Sequence, residues 1–73
     1  MISENKIIIG KILKEARIKE NMTQANLSKR VGISRSYLAD LEAGRYAPSS
    51  EKLLILARIL KLDINSLIDK IKH

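Results

Sequence analysis

The chain has no cysteine, no phenylalanine and no tryptophan. Without cysteine it can form neither a disulfide nor a thiolate metal site. Its one histidine is the last residue, His73. A Ser-His-Asp arrangement or a histidine-based metal cluster therefore has nothing to be built from. The acidic residues show no converging pair, and no Gly-rich phosphate loop is present. Catalysis, a bound metal and a cofactor are not expected. Long apolar runs are missing as well. Ile7-Ile8-Ile9 is flanked by charges and falls far short of the ~18 residues of a membrane span. A signal peptide would need a longer apolar core and a small-residue cleavage site. A membrane partner is not expected, and the cytoplasm is the expected location.

What is present suits a small helical core. Apolar residues make up 45% of the 73 positions, dominated by isoleucine and leucine. That length implies one small domain, 1–73, near the lower limit of what folds without staples. The net charge is +6 and the pI about 9.9, which raises a nucleic-acid partner as a candidate. The charge is spread evenly: residues 1–22, 23–48 and 49–73 each carry about +2. Composition alone does not separate a nucleic-acid binder from a plain basic domain, so the decision falls to geometry.

Residues 1–21 read as a first helix with Ser3 as its cap. Ile9, Leu13 and Ala16 recur at i, i+4, i+7, one stripe of an amphipathic helix. Asn21 suits the left-handed position that ends a helix. A pattern then recurs. Met22 precedes Thr23, and Leu27 follows four residues after the threonine. Ile33, Ser34 and Leu38 repeat the arrangement, as do Leu62, Asp63 and Leu67. Each is a hydrophobic staple around an N-cap, which fixes helix starts at 23, 34 and 63. The second helix is expected at 24–31, with Gly32 just past its end. The third is expected at 35–43, ended by Gly44. Pro48 excludes helix before it, and Ser49 or Ser50 caps a fourth helix at 50–60, with Leu53, Leu56, Ala57 and Leu60 inward. In a fifth, at 64–72, Ile64, Leu67, Ile68 and Ile71 form one stripe. No strand-like alternation is visible. Only Gly32 and Ile33 separate Val31 from the next cap, which is a helix-turn-helix connection spanning 23–44.

These residues carry a family likeness. Arg17, Thr23-Gln24, Leu27, Val31-Gly32-Ile33-Ser34, Tyr37-Leu38, Leu41-Glu42, Gly44, Pro48-Ser49, Leu53, Ala57 and Leu60 stand at matching spacing. The chain resembles the Cro/cI-type (XRE) helix-turn-helix family of phage and bacterial repressors over about residues 9–68. The resemblance implies an all-α, compact five-helix, lambda-repressor-like domain. Its third helix reads the DNA major groove, usually as a homodimer on a palindromic operator. The chain departs from the pattern in three places. Asn21 replaces a common glycine, and Ser28 a usual alanine. Ile12, Ile55 and Ile59 stand where polar residues are often found. The resemblance also implies an ion pair between Arg17 and Glu42 that ties helix one to the end of helix three.

DNA binding needs contacts that position and contacts that specify. Gln24, in the first turn of helix two, suits a phosphate, helped by free N–H groups and the helix dipole. Arg35 opens the third helix, the part that enters the groove deepest. Arginine paired to guanine is the commonest specific contact, against the alternative of a solvated or phosphate-bound side chain. Ser36 accepts or donates to either base type. Ala39 suits a thymine methyl. Asp40 is repelled by phosphate, yet it can accept from cytosine N4 or orient Ser36. Ser34 is first a cap and second a phosphate donor. Tyr37 is open between packing and a phosphate contact. Arg45 and Tyr46 match the family's second phosphate clamp, while Lys29 and Arg30 add to the positive field.

The expected function is a sequence-specific, double-stranded-DNA-binding transcriptional regulator, a repressor acting as a homodimer. Ile55, Ile59, Ile64, Ile68 and Ile71 are the expected dimer contact, unless they merely complete the core. The competing expectation is a protein-interaction module or antitoxin-like partner in which DNA contact is secondary. No effector domain is expected after residue 73, so ligand control in cis is not expected; control by a regulatory protein partner, by proteolysis or by concentration is open.

Overall fold

A computed structural model describes residues 2–70, with side chains from residue 4 onward. Five helices follow in order: α1 (Ile2–Lys19), α2 (Gln24–Val31), α3 (Arg35–Glu42), α4 (Ser50–Leu60) and α5 (Ile64–Lys70). The fold is all-α; no strand occurs among the described residues.

The helix starts follow from their caps. Thr23, Ser34 and Ser49 each accept the backbone N–H three residues on, from Asn26, Tyr37 and Lys52. Asn26 returns the bond to the Thr23 N–H and closes a capping box. Asp63 accepts the Asn65 N–H at 3.0 Å and the Ser66 hydroxyl at 3.2 Å. Each such cap contributes about 1 kcal/mol.

The helix ends obey one rule. Asn21, Gly32, Gly44 and Lys61 all adopt positive φ, between 59° and 85°. The residue after each donates its N–H five residues back: Met22 to Arg17, Ile33 to Ser28, Arg45 to Asp40 and Leu62 to Ala57. This is the Schellman closure. Three connections therefore have the same three parts, a left-handed residue, an apolar residue and a cap. Met22, Ile33 and Leu62 each close one helix and staple the next, packing partly buried against the core.

Some boundaries differ from expectation. Ser3 is not a cap, because α1 already begins at Ile2. The helix stops at Lys19 rather than residue 21, since the turn to Asn21 spends the last carbonyls on the closure. Ala43 is the cap residue of α3 rather than its last turn. Residues 71 and 72 of the expected fifth helix lie outside the described residues.

α1 lies across α3 and α4, and α2 packs on the same two helices. Leu13, Leu27, Leu38, Leu41 and Leu56 are completely buried at the centre, each stabilising the fold by about 2 kcal/mol. Ile9, Ala16, Val31 and Leu60 complete the cluster. α1 and α3 meet closely at Gly10. A Cβ there would lie 2.4 Å from the Leu41 carbonyl oxygen and 2.7 Å from that of Glu42. Glycine inside a helix costs roughly 0.5–1 kcal/mol relative to alanine. Here that cost allows α1 to touch the last carbonyls of α3. Ser28, buried within α2, satisfies its hydroxyl on the Ala25 carbonyl at 3.0 Å.

Candidate nucleic-acid interface

α3 exposes Arg35 and Ser36 in its first turn, and its cap Ser34 is exposed as well. Among the described residues, Arg35 has no ion-pair partner. Leu38 and Leu41 anchor the opposite face of the helix in the core. Ala39 and Asp40 sit half-buried one turn on. Asp40 meets Arg45, its Oδ1 accepting from Nη1 at 3.4 Å. It makes no bond to Ser36 among the described residues. The Asp40–Arg45 contact is long and largely solvated, with the Arg45 side chain 72% exposed, so it holds neither group firmly.

Glu42 is the other acid of α3, and its surroundings differ entirely. Its side chain is only 3% exposed. Arg17 Nε donates to Oε2 at 2.7 Å and Nη2 to Oε1 at 3.1 Å, a two-point fork. The third guanidinium nitrogen, Nη1, donates to the Met22 carbonyl at 2.8 Å. Gln24 Nε2 then donates to Glu42 Oε1 at 3.0 Å. One carboxylate therefore joins the end of α1, the first residue of α2 and the last residue of α3.

Tyr37 packs partly buried against the core. Its ring lies 6.2 Å from that of Tyr46, tilted by 34°, within the range of favourable aromatic pairs. Tyr46 and Arg45 are exposed in the loop after α3. Gln24, Ser34, Arg35, Tyr37, Arg45 and Tyr46 thus come from the helix-turn-helix and the loop after it. The apolar set is more scattered. Ile55 and Ile59 pack partly buried against the core, and Ile64 is half-buried. Ile68 is 48% exposed, and Ile71 lies outside the described residues.

A family model described as Helix-turn-helix matches residues 13–67. The chain belongs to the helix-turn-helix family. That family is one of DNA-binding transcriptional regulators, not of enzymes. This helix-turn-helix chain is 39% identical over 59 residues to the ImmF control region 10 kDa protein of Bacillus phage phi105, covering 81% of this chain and 66% of that protein. It is 35% identical over 60 residues to the Immunity repressor protein of the same phage, covering 82% of this chain and 42% of that protein. The chain thus spans just under two thirds of the first relative's length and about two fifths of the second's. The structure superposes on SinR, a master regulator for biofilm formation solved in complex with DNA, with a TM-score of 0.75 and 26% identity. That match covers 84% of this chain and 98% of the SinR chain.

Three features of the fold were not read from the sequence. The Gln24–Glu42 bond joins residues 18 apart and shows only once the helices are packed. The Asp40–Arg45 contact depends on the path of the loop after Gly44. Gly10 carried a usable signal, an isolated glycine within an apolar helical stripe. No helix among the described residues is long and apolar enough to cross a membrane.

Proposed function

We propose that the chain is a sequence-specific, double-stranded-DNA-binding transcriptional regulator of the cytoplasm, acting as a repressor. It binds a palindromic operator as a homodimer, with α3 in the major groove. The observation that carries this is the asymmetry of α3. Its first turn offers Arg35 and Ser36 to solvent without partners among the described residues, while its buried acid, Glu42, is matched by Arg17. A helix presented this way is positive at the end that enters the groove. The likeness to SinR and to the phage immunity repressor supports the same assignment.

The roles divide by position. Arg35 and Ser36 read bases, with Ala39 against a thymine methyl and Asp40 accepting from cytosine N4. Gln24, Ser34, Tyr37, Arg45 and Tyr46 hold phosphates on either side. The exposed part of the isoleucine set, led by Ile68, forms the contact between copies.

Selection from random duplex DNA tests the whole assignment. A symmetric consensus is expected. Arg35→Ala should flatten the preference at one position in each half-site, costing about 1–3 kcal/mol there. Salt-sensitive binding with no consensus would refute sequence-specific reading.

A further inference from the structure

We infer that Glu42 is a positioning residue for phosphate contact: it holds the Gln24 side-chain amide in place at the start of α2. This rests on the function proposed above. A carboxylate only accepts hydrogen bonds, so the Gln24 group facing Glu42 must be the amide nitrogen. That nitrogen carries two hydrogens. One goes to Glu42 Oε1 at 3.0 Å. The other remains to be offered beside the free N–H groups of the α2 N-terminus, where the helix dipole favours an anion.

The carboxylate is itself held at both oxygens. It is nearly fully buried and forked by Arg17, whose remaining nitrogen grips the Met22 carbonyl. Arg17 has two effects here. It neutralises a negative charge that would otherwise face the incoming phosphate, and it fixes the chain just before the Thr23 cap. Because Glu42 is the last residue of α3, the bond also sets the phosphate anchor relative to the base-reading helix. An immobilised side chain loses less freedom on binding, a saving of about three- to tenfold in affinity.

A double-mutant cycle tests this, with the selected operator duplex as the probe. Affinity and Tm are measured for the wild type, Glu42→Gln, Gln24→Ala and the double variant. Glu42→Gln keeps an acceptor toward Arg17 but weakens the hold on Gln24; it also leaves the buried Arg17 charge unmatched, so affinities are compared well below the lowered Tm. Each single variant should lose about three- to tenfold in affinity, and the double should be no worse than Gln24→Ala. Losses that multiply, or wild-type affinity in Glu42→Gln, would overturn the coupling while leaving the DNA-binding assignment intact. A wild-type chain that holds no duplex would overturn both. NMR of the free wild-type protein supplies a readout that needs no variant to fold. The Gln24 side-chain amide should be as rigid as its backbone, and a freely reorienting amide would also overturn the proposal.

Discussion

Through the Arg17–Glu42 pair, a residue remote from the proposed groove face is expected to affect binding. Its side chains are 11% and 3% exposed, and they meet through two bonds. Removing one partner leaves the other charge buried and unmatched. Arg17→Ala is expected to lose about 3 kcal/mol of stability, a fall in Tm of roughly 12 °C or more for a chain of this size. DNA binding should weaken chiefly through that loss of folding, and to a smaller extent through the unneutralised Glu42 carboxylate beside the Gln24 anchor. Denaturant melts and affinity measured below the melt check it; normal stability with impaired binding would contradict it. At this scale legibility depended on range. Thr23, Ser34 and Asp63 were legible because a cap acts within three residues of itself. Arg17 and Glu42 stand 25 residues apart, and no local pattern pairs them. They were matched through family resemblance, and the structure adds Gln24 and Met22 to the pair.

At the scale of elements, one form of connection recurs along the chain. The three-part link repeated at 21–23, 32–34 and 61–63 uses each apolar residue twice, once to close a helix and once to staple the next. The sequence displayed the staple half of this pattern. The closing half was visible only where glycine or asparagine marked it. Lys61 gives no such sign, yet takes φ 59°, because the Leu62 and Asp63 positions require the turn whatever residue fills it. Gly10 is the opposite case. Its composition is conspicuous, but its reason lies in α3, which only the packed fold brings within reach. Gly10→Ala would raise helix propensity in α1. It would also drive a methyl into two carbonyl oxygens at 2.4 and 2.7 Å. The clash should outweigh the propensity, giving a net loss of about 1–3 kcal/mol. Thermal unfolding decides the sign. A more stable variant would mean that α1 and α3 separate at little cost.

For the molecule as a whole, size bears on how the proposed operator is read. The longest dimension of the Cα trace is 31 Å, and the chain carries one helix-turn-helix. Half-sites one helical turn apart lie about 34–36 Å from centre to centre, so reading both requires two copies. Their contact cannot rest on Ile55 and Ile59 alone, since the core already partly covers them. Ile68 is exposed on α5 and stays available to a partner, as does Leu54 on α4, 57% exposed and not singled out by the sequence pattern. Ile68→Lys sits on the surface, so it should change monomer stability by less than about 0.5 kcal/mol. It should nevertheless break the cooperativity between half-sites. Titration of a two-half-site duplex would then resemble titration of a single half-site. Inserting about 5 base pairs between the half-sites turns them to opposite faces of the duplex and should do the same to the wild type. If Ile68→Lys keeps cooperative binding while the insertion abolishes it, the copies meet through another surface. If neither change matters, each chain binds its half-site alone.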